Sequence, residues 1–360
     1  MEVRTSAKTG WIGVVLGLAG VVVIVAGMRA AATLLVPTLL AVLLSTLLMG
    51  PMRWMVRRRV PKAVAVPLLM ALLLALGSLA AGLVGAAAVE LGSRAEIYNV
   101  VFQQRVAEFD EAVVAWLQRF GAEGPERPLA DYLSLQRFIT FGQQLAENAG
   151  EMLANGFLIL IVLGFILWEA PDLRRRLEVS VGSRWAGLAH LHLHEIGVAV
   201  RRYSIVKTAV SLATGGAVYL ALLILGVDFA LLWGALAFAL NYIPTVGSVI
   251  AAVPAVLLAW LQGGALTGVV TTGVYLAINT VLGNIVEPRF MGYGVGLSPL
   301  VLVVSLVFWG WVLGPVGMIA SVPLTVMARL VLAANDSTRW MAVLISDRRS
   351  LQREAAAGQT

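Results

Sequence analysis

Side chains able to do chemistry are sparse in the apolar text of this 360-residue chain. The three histidines fall at alternate positions, His190, His192 and His194. His190 and His194 would share a helical face, but only Glu195 stands near as a third ligand, which is thin support for a metal. Cysteine is absent, so disulfides, thiolate nucleophiles and cysteine metal centres are excluded. Ser248 lacks a histidine near it, and Asp228 lacks a second intramembrane aspartate, so neither protease chemistry fits. No catalytic centre, cofactor or metal is expected.

More telling is Lys207, one of only three lysines, which enters an apolar run together with Thr208, Ser211 and Thr214. At helical spacing these form a polar stripe on a membrane helix, suited to a solute pathway or to helix–helix hydrogen bonds. Snorkelling of Lys207 to the cytoplasmic interface is the plainer alternative. Farther on come Asn279, Asn284, Glu287, Pro288 and Arg289, followed by Gly292, Gly294 and Gly296. Ionisable groups at membrane depth are costly and usually pair or line a pathway. A titrating Glu287 would couple proton movement to transport; the bland reading is a loop ion pair with Arg289. The glycines are no dinucleotide fingerprint, because no strand precedes them.

The elements that carry these groups follow from composition. Hydrophobic residues make up 59% of the chain and charged residues 13%, against about 25% in soluble domains. Mean hydropathy is +0.88. The net charge of +6 does not point to nucleic acid, because the basic residues cluster beside apolar runs; the lipid bilayer is the expected partner. Apolar stretches long enough for about 30 Å of hydrocarbon lie near 11–28, 30–50, 63–89, 152–168, 204–227, 229–260, 264–286 and 297–328. Backbone in lipid must satisfy its own hydrogen bonds, so each reads as a helix. The first run has 18 residues and meets the second almost directly, which favours a span over a signal peptide.

Charge sets direction. The link 51–62 carries Arg53, Arg57, Arg58, Arg59 and Lys62 without an acid, and 171–203 carries six arginines, whereas 91–151 holds nine acids and five arginines. By the positive-inside rule the first two are cytoplasmic, 91–151 is external, and both termini lie inside. Within 91–151, Ile97, Val100, Val101, Phe109, Val113, Trp116 and Leu117 recur at roughly helical spacing, as do Leu133, Leu135, Phe138 and Leu145. The chain is therefore read as an all-α polytopic membrane protein of about eight spans. Residues 1–90 hold the first three spans, and 91–151 an external amphipathic helical segment. The fourth span and a cytoplasmic amphipathic link occupy 152–203. A transport core with broken helices fills 204–333, and 334–360 form a cytoplasmic tail.

Two runs are longer than a span needs. Residues 229–260 would make about 48 Å of helix. That run is interrupted at Asn241-Tyr242-Ile243-Pro244-Thr245-Val246-Gly247-Ser248, and 296–328 is interrupted at Gly314-Pro315-Val316-Gly317. Proline removes a donor and clashes with the preceding turn, so broken or re-entrant helices are expected at both. After the breaks come Ile250-Ala251-Ala252-Val253-Pro254 and Ile319-Ala320-Ser321-Val322-Pro323, which agree at four of five positions and suggest an internal repeat. Paired interrupted helices commonly mark a transporter's substrate site, since unwound backbone supplies polar groups at membrane depth. The candidate pathway residues are Lys207, Ser211, Thr214, Asn241, Pro244, Gly247, Asn279, Asn284, Glu287, Arg289, Ser298, Pro315 and Gly317. A single crossing by 229–260 would leave Glu287 external, and a re-entrant hairpin would leave it cytoplasmic.

From Tyr203 to Thr325 the chain resembles the autoinducer-2 exporter family of prokaryotic permeases. The matching blocks are Lys207-Thr208, Ser211-Leu212 and Thr214-Gly215; Leu232-Trp233-Gly234; Asn241-Tyr242-Ile243-Pro244 with Gly247-Ser248; and Gly283-Asn284 with Glu287-Pro288-Arg289 and Gly292. Farther on stand Leu297-Ser298-Pro299-Leu300, Trp309-Gly310-Trp311 and Leu313-Gly314-Pro315. The first 200 residues match only in hydropathy and in the long external segment. The resemblance implies eight membrane segments, a homo-oligomer with a pentamer among its forms, and export of a small polar compound by an elevator-like movement. A sodium–proton antiporter is the alternative it leaves open. A scaffold acting through 91–151 is the rival from another class.

Overall fold

A computed structural model describes residues 6–119, 140, 156–169, 183–244, 246–291, 296–333 and 338–347. Most of the second amphipathic stretch, together with Thr245 and Gly292, lies outside these residues, as do the side chains of the three histidines. The described elements are α1 (Ser6–Ala30), α2 (Ala32–Arg57), α3 (Lys62–Ser93), α4 (Ala95–Arg119), α5 (Gly156–Glu169), α6 (Ser183–Ile224) and α7 (Ala230–Leu240). Then come α8 (Val246–Ile278), a π-helical segment (Asn279–Val286), α9 (Glu287–Met291), α10 (Pro299–Ala333) and α11 (Arg339–Ile345). Five helices are long and apolar enough to cross a membrane, and shorter apolar helices lie in α1, α5 and α7. The expectation of an all-α polytopic membrane protein is met. The described residues group into two compact units, one drawn from 1–62, 158–203 and 293–360, the other from 63–157 and 204–292.

In the second unit, α8 is bent back on itself at Gly264, whose φ of 75° lies in the left-handed region that favours glycine. A Cβ on Gly268 would touch the Trp260 Cβ at 3.0 Å, although eight residues of straight helix separate points by about 12 Å. The arms 246–263 and 265–278 therefore lie side by side. At the other end of the first arm, a Cβ on Gly247 would overlap the Leu240 carbonyl, so α7 and α8 meet tightly across the break 241–245. The Asp228 backbone N–H donates to Gln262 Oε1 at 3.0 Å, which ties the root of α7 to the far end of that arm. The two are thus antiparallel, and 229–260 is a helical hairpin rather than a single crossing. With 11 residues, or about 16 Å, α7 reaches only about half the hydrocarbon thickness. The hairpin packs on α6, where a Cβ on Gly234 would lie 2.8 Å from the Tyr219 Cβ.

The first unit contains a second hairpin. Gly314 breaks α10 with a φ of 69°, and Trp309 Nε1 donates to Thr325 Oγ1 at 3.0 Å. Sixteen residues of straight helix would hold those atoms about 24 Å apart. A Cβ on Gly317 would overlap the Trp309 carbonyl. Each hairpin is thus closed by a glycine pressed against a carbonyl of the opposite arm, and each second arm carries one copy of the matched pentapeptide. That shared construction supports the internal repeat.

The described part of α4 buries a stripe that only partly overlaps the apolar residues read from the sequence, of which Val101 packs against the core. Tyr98, Phe102 and Val106 are buried, with Phe102 edge-on to Trp260 at 6.5 Å, whereas Ile97 and Val100 are exposed. The buried stripe follows the four-residue spacing 98, 102 and 106, and the tyrosine belongs to it because its hydroxyl finds partners on the hairpin root. The side chains of Phe109, Val113, Trp116 and Leu117 lie outside the described set.

Candidate functional site

Folding 229–260 into a hairpin delivers its tip to the polar stripe of α6. Asn241 Nδ2 donates to Ser211 Oγ at 3.0 Å, and the Tyr242 hydroxyl donates to Thr208 Oγ1 at 2.8 Å. The tip joins the carbonyl end of α7 to the amide end of α8, so both kinds of unsatisfied backbone group converge there. Beside it, Lys207 Nζ donates to both carboxylate oxygens of Glu287, at 2.9 and 3.0 Å. The side chains of this pair are 5% and 17% exposed. Lys207 is thus buried against Glu287, and Glu287 pairs with Lys207 rather than with Arg289. An ion pair this deep holds only while both partners remain, because either one alone would be an uncompensated buried charge.

Two turns along α6 from Lys207, Thr214 lines a small cavity with Ser248, Tyr275 and Asn279. Its volume of about 10 Å³ matches the space one water requires. Among the described residues the buried Tyr275 hydroxyl and Thr271 Oγ1 have no hydrogen-bond partner. Asn279 opens the π-helical segment that leads to Glu287. Wide turns of this kind are rare and recur at functional sites.

The structure thus gathers Lys207, Ser211, Asn241 and Glu287 into one polar cluster, with Thr214 and Asn279 at the adjacent cavity. Pro244 sits in the tip and Gly247 closes it, whereas Asn284 and Arg289 are exposed. Ser298, Pro315 and Gly317 belong to the first unit. There Ser298 Oγ accepts the Val301 N–H at 3.3 Å as α10 begins, and Pro315 and Gly317 follow the bend at Gly314. Among the described residues no group of three or more potential ligands could hold a metal.

One polar network escaped the reading of the sequence. Asp228 accepts from Arg94 at 3.3 Å and from the Tyr98 hydroxyl at 2.9 Å, and Gln262 Nε2 donates to that hydroxyl at 3.2 Å. Arg94 also pairs with Glu90 at 2.6 Å. A cleft of about 440 Å³ opens here, lined by Glu90, Arg94, Tyr219, Asp228 and Phe229. Burial, then the bond to Asp228, pushes the Tyr98 phenol above its ordinary value, and the carboxylate of Glu90 raises Arg94. The only signal in the sequence was the change from apolar to charged text around residue 90, which gives no pairing.

The AI-2E family transporter model matches residues 18–335 of the chain. The chain is 36% identical over 334 residues to the AI-2 transport protein TqsA of Escherichia coli, covering 93% of this chain and 95% of that protein. A putative transport protein of Haemophilus influenzae is 35% identical over 337 residues, covering 92% and 95%. The putative transport protein YhhT of Escherichia coli is 33% identical over 353 residues, covering 98% and 99%.

Proposed function

This chain belongs to the AI-2E transporter family, and from that premise we propose that it carries a small polar solute across the membrane at the cluster where the α7–α8 hairpin tip meets α6 and Glu287. The observation that carries the reading is the tip itself. Asn241 and Tyr242 bring broken helix ends and amide and hydroxyl groups against Ser211 and Thr208, beside a buried ion pair. Every one of these groups can exchange its present partner for a hydrogen bond to a solute, and the surrounding apolar helices keep bulk water out. A hairpin that reaches half-way through the hydrocarbon needs to move only a short distance to expose the cluster to one side or the other, as alternating access requires. The remaining candidates, Pro244, Gly247, Asn284, Arg289, Ser298, Pro315 and Gly317, fit as residues that shape or flank the two hairpins. We infer that Glu287 lies toward the cytoplasmic side with both termini inside, a reading that the re-entrant course of 229–260 supports, and that the chain works as a homo-oligomer, with a pentamer as one form.

Because one relative is named as an AI-2 transport protein, AI-2 is the first solute to test. Cells overexpressing the chain should lose the solute faster than cells carrying an Asn241→Ala, Ser211→Ala variant of equal abundance. Equal loss from both would refute a pathway at the tip. A cation–proton antiporter is the second reading, favoured by the single carboxylate of Glu287 within an apolar helix run. It expects Glu287→Gln to abolish pH-dependent flux in proteoliposomes while assembly stays intact, and equal flux for both proteins between about pH 6 and 8 would discard it.

A further inference from the structure

Glu287 is a carboxylate on an apolar helix run, and such a group must find a counter-charge: a proton, a metal cation or a basic side chain. In this chain the counter-charge is supplied by Lys207, whose single ammonium nitrogen meets both oxygens at nearly equal distance, 2.9 and 3.0 Å. A symmetric approach to both oxygens is how a bare monovalent cation would sit on a bidentate carboxylate. The immediate surroundings are also those of a cation site. Ser204 and Ser211 lie on the face of α6 that bears Lys207, one turn to either side of it, and Ser204 Oγ is buried without a partner among the described residues. Hydroxyl and carboxylate oxygens are the hard ligands that alkali cations take. No second basic side chain among the described residues reaches the carboxylate, since Arg289 is exposed and unpaired with it.

We propose that the Lys207 ammonium stands in the place of a monovalent cation bound at Glu287, so that the site carries its counter-charge covalently. For carriage, which rests on the solute-transport reading, the consequence is a cluster of zero net charge that accepts a solute without a sodium ion bound beside it. Removing the lysine side chain to Cβ would leave a buried anion facing an emptied channel of three carbons and a nitrogen. A sodium ion or a short alkylammonium of matching length should then enter.

The test is thermal unfolding of the full-length purified protein, followed by tryptophan fluorescence, with sodium chloride or ethylammonium chloride replacing choline chloride at constant ionic strength. The wild-type Tm should be the same in all three salts. Lys207→Ala should melt lower in choline and recover saturably in sodium or ethylammonium, by about 3–4 °C at a hundredfold excess over Kd. Adding Glu287→Gln to Lys207→Ala should remove the recovery. Lys207→Ser, small but able to offer an oxygen, serves as the second variant, and folding of either variant only in the presence of sodium or ethylammonium counts as recovery. The proposal is overturned if both variants respond to neither cation, or if neither folds in any salt. It is equally overturned if wild type gains saturably from sodium through Glu287. The readout is binding, so a failed flux assay leaves it standing and its own failure leaves solute carriage standing.

Discussion

Gly215 and Gly216 are adjacent on α6, yet alanine at the two should act in opposite directions. A Cβ on Gly215 would lie 2.7 Å from the Gly234 carbonyl oxygen and 2.7 Å from the Phe238 Cβ, both fixed by the backbone of α7. No side-chain rotation relieves either contact, so α7 must move away from α6. Overpacking of this kind costs about 1–3 kcal/mol, and a backbone obstacle belongs near the top of that range. Helix propensity returns about 1 kcal/mol, leaving Gly215→Ala about 2 kcal/mol less stable. A Cβ on Gly216 meets nothing within 4 Å, so Gly216→Ala keeps the propensity gain of about 1 kcal/mol alone. The two variants should differ by about 3 kcal/mol, or about 4 °C in Tm for a chain of this size. Thermal unfolding in one detergent and one buffer measures it. Solute loss should fall with Gly215→Ala and not with Gly216→Ala, because the hairpin tip reaches Ser211 only when α7 lies tight on α6. Equal Tm values for the two variants would refute the α6–α7 contact and with it the placement of the tip.

Two further outcomes follow from single contacts. Asn241→Ala and Ser211→Ala should each cost about 1–3 kcal/mol, and the double variant less than their sum, with a coupling of about 1 kcal/mol in a double-mutant cycle of Tm or denaturant midpoint; strict additivity would mean that the bond does not form. The Tyr98 phenol holds its proton more tightly when folded than when unfolded, first because it is buried. Its contribution is therefore complete below about pH 10 and is lost as pH rises through the folded value. Tyr98→Phe should flatten the alkaline decline of Tm between about pH 9 and 11 relative to wild type, and an unchanged slope would show that this phenol does not contribute.

How much was legible in the sequence varies by feature. The two breaks were readable because proline and glycine act on their own backbone: no neighbour is needed for Pro244 to lack a donor or for Gly314 to admit a positive φ. The polar stripe of Lys207, Ser211 and Thr214 was readable from helical spacing alone. What the stripe faces was not, because Glu287 stands 80 residues away and only the fold-backs at 241–245 and Gly264 return the chain to it. The buried face of α4 is only partly legible for a related reason. Ile97 and Tyr98 are both apolar enough to be buried, and the choice fell to the residue whose hydroxyl could reach Asp228 and Gln262.

The sequence by itself determined that the chain is helical, that it lies in a membrane and where its helices break, since about 30 Å of hydrocarbon and the need to satisfy every backbone group leave no other solution. Tertiary structure alone decided which polar groups meet and which apolar faces are inside. Lipid tails are as apolar as leucine, so hydropathy cannot separate a residue packed on a neighbouring helix from one facing lipid. The ion pair of Lys207 and Glu287, the seating of Asn241 on Ser211 and the course of the α7–α8 hairpin all depend on that packing.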